Sequence, residues 1–194
     1  MSSECIKNVK AFAILLCGIG HPQNIGAILR SSYYLGVDRV YTTNCKFIDS
    51  NGNSILKSSA PLTPSVSKAS SGVLEIFQPT HLNDPEKFVD FVKSQGWFVI
   101  GSGIQKPGAI LKNNISTQSE DSVNTNKPGC HQNPQLLVIG NEGFGIPQKI
   151  GDMCDRWINI EPGRTIDPDV DSLNVSVACA LLINSLMPQS KIKR

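Results

Sequence analysis

At 194 residues the chain is long enough for one domain with a substantial core, and 40% hydrophobic with 18% charged residues is ordinary for a globular protein. A formal net charge of +2 is too small to argue for a nucleic-acid partner by itself, so any RNA contact needs local basic groups or another segment. The six cysteines, at 5, 17, 45, 130, 154 and 179, form no CxxC pair and no His/Cys set with zinc spacing; no metal is expected, and a reducing compartment fits. No apolar segment reaches the roughly 20 residues that span a bilayer, and the opening MSSECIKNVK reads as neither a signal nor a transit peptide.

Ala11 to Cys17 (AFAILLC) reads as a buried strand. After a loop from Gly18 to Gln23, Asn24 can cap a helix that runs to about Leu35 and stops at Gly36. Arg39 to Thr43 is a short β-branched and aromatic strand, completing a βαβ unit that predicts a parallel sheet. Asn44 to Pro64 is polar and turn-rich, with Asn51-Gly52 as an explicit turn. Ser65 to Gly72 suggests a short helix and Val73 to Phe77 another strand. A clear helix follows, capped by Asn83 or Asp84, with Pro85 in its first turn, an apolar face of Phe88, Val89, Phe91 and Val92, and a stop at Gly96. Trp97 to Ile100 is the next strand.

Residues 102–134 are rich in Asn, Ser, Gln, Gly and Pro and are too long for an ordinary connection, so a mobile surface insertion is expected there rather than a structured lid. Leu136 to Ile146 (LLVIGNEGFGI) is a buried-strand pattern that breaks at Gly140 into a turn of Asn141, Glu142 and Gly143, with Gly145 beyond. Such strand ends collect ligands in open α/β sheets, although paired glycines also serve merely to turn a chain. Pro147 to Met153 suggests one or two helical turns, Trp157 to Ile160 a last strand, and residues 161–171 an irregular loop. Leu173 to Leu186 (LNVSVACALLINSL) is apolar on nearly every face, which predicts a helix buried in the body or at a subunit interface.

Three loops after apolar strands carry the distinctive polar groups: Asn24 with Arg30, Asn141 with Glu142, and Ser172 with Asn174. Six helical residues turn through about 600°, so Asn24 and Arg30 share no face, although an arginine can reach back. By spacing alone Asn24 is equally a plain cap, Arg30 a solvated charge, and Ser172 and Asn174 caps of the last helix. There is no GxGxxG, Walker loop, GxSxG or HExxH, and His21, His81 and His131 sit in loop-like contexts without an evident nucleophile.

Taken together, PQNIGAILRSSYYLGVDRV, LLVIGNEGFGI and DSLNVSVACALLI resemble, in order and over nearly the whole chain, the three motifs of the SPOUT methyltransferases, specifically the SpoU/TrmH group of RNA ribose 2'-O-methyltransferases. The pieces PLTPSVSKASSG and EPGRTIDPDVDSLNVS look most like those of the mitochondrial large-subunit ribosomal RNA guanosine 2'-O-methyltransferases.

The resemblance implies an α/β fold, a mostly parallel sheet flanked by helices, with a carboxyl-terminal deep trefoil knot. Such knots are exceptions to the rule that chains do not thread. It implies S-adenosyl-L-methionine as cofactor, held by Ser102, Gly140, Asn141, Gly143, Ile160 and Leu173, and a homodimer built largely from the first and third motif helices. It implies an RNA substrate, expected to be ribosomal, and a mitochondrial location. It places Arg30 at the centre of the chemistry with Asn24, Glu142, Ser172 and Asn174 around it. An arginine gives up its proton only above a pKa of about 12, so stabilising the developing alkoxide is a cheaper role for Arg30 than that of base. Related enzymes usually carry an amino-terminal RNA-binding domain, so residues 1–194 are expected to be the methyltransferase domain of a longer protein. The alternatives are a catalytically silent RNA-binding dimer, a tRNA rather than rRNA methyltransferase, and a small-molecule or nucleotide-binding α/β enzyme.

Overall fold

The computed structural model describes residues 11–48, 51–103, 133–165, 167 and 172–187. Its centre is a six-stranded sheet in the order β5-β2-β1-β7-β6-β8, formed by β1 (Phe12–Cys17), β2 (Arg39–Thr43), β5 (Thr80–Leu82), β6 (Phe98–Ser102), β7 (Gln135–Ile139) and β8 (Arg156–Ile158). Every neighbouring pair is parallel. Helices α1 (Pro22–Leu35), α2 (Pro64–Ser70), α3 (Val73–Ile76), α4 (Pro85–Ser94), α5 (Gln148–Asp152) and α6 (Val175–Leu186) complete the chain, with a separate antiparallel hairpin of β3 (Cys45–Ile48) and β4 (Ser54–Lys57).

Alternate residues of the central strands feed two cores. Ile14, Leu16, Leu137, Ile139 and Ile100 face one side with Ile25, Ile28 and Leu29 of α1 and Cys179, Leu182 and Ile183 of α6. Ala13, Leu15, Leu136, Val138 and Val99 face the other, under Val89 and Val92 of α4, Ile150 of α5 and Phe47 of β3. Coverage of both faces is why β1 is apolar throughout and β7 is aliphatic from Leu136 onward. Register sets Leu137 beside Ile14 on one flank and Ile100 on the other. Away from the core, Lys93 at the end of α4 bonds the Met153 carbonyl (2.6 Å) and Asp155 (2.7 Å), and Asp155 accepts from the Val99 amide (2.8 Å). This polar clasp ties α4 and the entry to β8 onto β6.

Several expectations need correction. Val73–Ile76 is a helical turn rather than a strand: the buried Ser70 hydroxyl accepts from the Leu74 amide (3.1 Å) and Gly72 enters at φ 81°, both of which start a helix. The strand at that edge is instead Thr80–Leu82, which takes His81 out of a loop. The turn-rich stretch after Thr43 contains a real hairpin, with Cys45 and Phe47 inward, Lys46 and Ile48 outward, and Asn51-Gly52 near its tip. Helix α1 begins at Pro22 behind His21, so Asn24 lies inside the first turn and is not the cap. Phe91 is 61% exposed, so the apolar face of α4 is narrower than its sequence suggests. Helix α6 is not buried all round: Val177 and Leu181 stand about half exposed, opposite Cys179, Leu182 and Ile183. Asp84 does cap α4, accepting from the Lys87 amide at 3.1 Å, and Gly36 ends α1 at φ 84°. The 102–134 stretch falls almost wholly outside the described residues.

Two predictions follow from the packing. A Cβ on Gly26 would sit 2.5 Å from the Ala69 Cβ and 2.8 Å from the Val66 carbonyl oxygen. Gly26→Ala should therefore push α2 off α1 and cost about 1–3 kcal/mol, read from the urea midpoint at unchanged m-value. Separately, burial pushes the Cys179 thiol from its usual 9.0 up to about 12. The folded state then keeps a proton that the unfolded chain releases. This contribution is complete below pH 9 and is lost as pH rises from 9 towards 12, at up to about 1.4 kcal/mol per pH unit. Urea unfolding at pH 8, 9 and 10 should show this fall, to which Cys17 and Cys154, also raised by their surroundings, contribute, and Cys179→Ala should reduce its slope without abolishing it.

Candidate active site

Because all six strands run the same way, their carboxyl ends meet at one edge of the sheet. At the junction of β1 and β7 the exits are stitched together. Asn141 Nδ2 donates to the Gly18 carbonyl at 2.7 Å, while its Oδ1 accepts from the Gly143 amide (3.0 Å) and the Phe144 amide (3.2 Å). The backbones of Asn141 and Gly145 exchange two hydrogen bonds, both 2.8 Å, closing a tight loop. Gly145 turns at φ 70°. A Cβ on Gly140 would lie 2.3 Å from the Gly145 carbonyl carbon, so Gly140 is glycine first because the loop folds back over it. The hairpin supports this loop from outside: Phe47 and Phe144 rings lie 5.2 Å apart, and the Lys57 ammonium stands 4.6 Å from the Phe144 ring centre.

A side-chain relay runs outward from the loop. Asn24 Nδ2 donates to Glu142 Oε1 at 2.8 Å, and Asn174 Nδ2 donates to Asn24 Oδ1 at 3.2 Å. Asn174 Oδ1 in turn accepts from the Ser176 amide (2.9 Å) and hydroxyl (2.7 Å), which is its N-cap of α6. Residues 24, 142 and 174 thus meet from three distant parts of the chain. Along the same edge, Ser102 ends β6 opposite Ile158, the Gly103 amide donates to the Ile158 carbonyl at 3.0 Å, and half-buried Ile160 packs on the larger core. Ser172 and Leu173 lie exposed just before α6.

Arg30 stands apart from this relay. It is exposed on α1, and its Nη1 donates to Ser71 Oγ at 2.9 Å instead of reaching back towards Asn24. Ser71, Ser176, Phe144 and Lys57 carried no warning in the sequence. Only a positive φ at a serine, visible in three dimensions, singles out Ser71.

The model of the SpoU rRNA Methylase family matches residues 11–184. The chain belongs to the SpoU family. It is 36% identical over 182 residues to "rRNA methyltransferase 1, mitochondrial" of Homo sapiens, covering 92% of this chain and 46% of that protein. The protein of the same name from Saccharomyces cerevisiae is 37% identical over 180 residues, covering 87% of this chain and 39% of its own length. This SpoU chain thus spans less than half of either relative. A TrmH-family structure from Porphyromonas gingivalis superposes with a TM-score of 0.64 at 27% identity, covering 93% of this chain and 60% of that one. The SpoU methyltransferase AviRb of Streptomyces viridochromogenes, solved with S-adenosylmethionine, shares the fold with a TM-score of 0.66 at 18% identity, covering 95% and 63%. The parallel, helix-flanked sheet is that of SpoU proteins.

The loop geometry makes one prediction. Asn141→Ala removes the acceptor of the Gly143 and Phe144 amides and the tie to Gly18. Exchange of those two amides should accelerate about five- to tenfold, the equivalent of about 1 kcal/mol, while amides of β1 and β7 keep their protection. Amide hydrogen exchange followed by NMR reads this directly.

Proposed function

We propose that the chain is the methyltransferase domain of an RNA ribose 2'-O-methyltransferase, using S-adenosyl-L-methionine and acting on a guanosine of mitochondrial large-subunit rRNA. The observation that carries the reading is the Asn24–Glu142–Asn174 relay at the carboxyl edge of a SpoU fold. The mitochondrial relatives support both the rRNA substrate and the location.

The residues at the β6, β7 and β8 exits fit the cofactor. Ser102 and Gly140 bring backbone polar groups to the strand exits, Asn141 and Gly143 shape the loop between them, and half-buried Ile160 and exposed Leu173 offer apolar surface, a combination that suits a molecule with an aromatic base and a polar tail. Glu142 supplies negative charge near a site for a sulfonium. When bound, S-adenosylmethionine supplies an activated methyl group. A ribose hydroxyl must pass its proton to water as it attacks, and the Arg30 guanidinium would stabilise the oxyanion that develops. Asn24 and Asn174 would hold Glu142 in place, with Ser172 beside them.

Within one chain, Arg30 and Asn24 lie on α1 faces about 120° apart, and Arg30 turns to Ser71. This supports a homodimer in which Arg30 of one protomer completes its partner's cleft, with the exposed Val177 and Leu181 of α6 in the interface. The reading of a carboxyl-terminal knot draws support from the position of α6, which follows the edge strand β8 in sequence yet packs on α1, its cap residue Asn174 bonding Asn24 in the first turn of that helix.

The test is methyl transfer from labelled S-adenosylmethionine to transcripts of mitochondrial large-subunit rRNA and, in parallel, tRNA. Alkali-resistant methylated dinucleotides should come from the rRNA; label in tRNA alone would move the substrate. Absence of S-adenosylhomocysteine binding at millimolar concentration would remove the cofactor assignment. Arg30→Ala should cut turnover at least about a hundredfold, the scale of losing a preorganised oxyanion stabiliser. Calorimetric binding of S-adenosylhomocysteine and the oligomeric state by sedimentation should be retained.

A further inference from the structure

Arg30 is held from one side by the α2–α3 corner, which also packs Val66 and Leu74 into the larger core. Helix α2 ends in Ser70, Ser71 and Gly72 before α3 begins, and the corner is braced by its own hydrogen bonds. The Ser71 amide donates to the Lys68 carbonyl (3.2 Å) and the Gly72 amide to the Ser67 carbonyl (3.1 Å). The buried Ser70 hydroxyl donates to the Ser67 carbonyl (2.9 Å), and the Ser67 hydroxyl donates to Glu75 Oε1 (2.5 Å).

The corner also straddles one face of α1. Gly26 admits Ala69 and Ser70 at distances that exclude a Cβ, and Tyr33 meets Phe77, just after α3, with ring centres 5.8 Å apart. Positions 26, 30 and 33 follow the i, i+4, i+7 spacing of a single helix face. Arg30 therefore lies between the two attachment points, and Ser71 Oγ accepts from its Nη1 at 2.9 Å.

Ser71 meets Arg30 in a backbone conformation that a serine disfavours. Among the described residues it is the one non-glycine at positive φ, 53°. Glycine at 71 would suit that backbone better; what serine adds is the hydroxyl. The left-handed turn is the C-cap of α2, so the helix end sets the backbone and the hydroxyl is what distinguishes serine from glycine there.

We propose that Ser71 is a positioning residue for Arg30, fixing the guanidinium's direction from the α2–α3 corner so that it meets the ribose oxygen already oriented. The proposal rests on the reading of Arg30 as the oxyanion stabiliser. Its signature is a variant that is as stable as the parent but slower. Ser71→Gly relieves the backbone and deletes the hydroxyl. Its melting temperature should equal or exceed the parent's, S-adenosylhomocysteine affinity should be unchanged, and kcat on the rRNA transcript should fall about tenfold, the scale of one hydrogen bond to a charged group. Ser71→Asn, which tolerates the left-handed region and restores a side-chain oxygen, should recover part of that loss. In an Arg30→Lys background, Ser71→Gly should add little, because the oriented fork is already gone.

A stable Ser71→Gly with parental kcat, while Arg30→Ala is inactive, overturns the positioning role and leaves Arg30 standing. Full activity in Arg30→Ala, or no transfer by the parent chain, overturns the reading of Arg30 and the proposal with it. A lowered melting temperature in Ser71→Gly would make the serine structural and also count against it.

Discussion

The parallel pairing of β1 with β7 is the constraint on which the rest depends. These strands lie about 120 residues apart in sequence, yet they sit side by side with Ile14 opposite Leu137 and Leu16 opposite Ile139. Once that register is set, Gly18 and Gly140 leave the sheet together, and Asn141 can close the gap to the Gly18 carbonyl with a single short hydrogen bond. A shift of one residue would turn the side chains of β7 to the opposite faces, exchanging the partners of two separate cores. The register is thus protected by burial on both faces, and the loop that carries Glu142 inherits that precision.

What the sequence made legible follows from the same physics. Strands β1 and β7 were readable because double-sided burial demands nearly continuous apolar runs. Helices α1 and α4 were readable because glycine and proline punctuate them, and Asp84 signals its cap directly. The misses are elements whose local signal is weak or contradictory. Thr80–Leu82 is a three-residue strand at the sheet edge with little to bury. Val73–Ile76 mixes two β-branched residues with the helix formers Leu74 and Glu75, and the Ser70 hydroxyl and the Gly72 turn decide for the helix. The hairpin alternates correctly, though over only four residues per strand within polar surroundings.

Three members of the candidate site were legible, but not their grouping. Motif resemblance named Asn24, Glu142 and Asn174, while their hydrogen-bonded order came only from the fold. Asn24 changes meaning most. Read as a helix cap, it would spend its side chain on its own backbone. Because Pro22 starts the helix one turn earlier, both ends of the Asn24 amide are available to bridge Glu142 and Asn174. Gly140 shifts the other way, its missing Cβ being required by the loop's own return at Gly145 before any ligand is considered.

Arg30 shows why one helix can serve two purposes. The residues of α1 that face the sheet, Ile25, Ile28 and Leu29, anchor it in the core. With that face spent, Asn24 points to the strand exits and Arg30 to the α2–α3 corner, about a third of a turn apart. The same rigid rod therefore organises the relay at its beginning and aims a cation from its middle. Because α1 cannot roll without tearing three aliphatic side chains from the core, the angle between these two groups is fixed by packing. That angle keeps Arg30 out of its own chain's relay and turns it to Ser71.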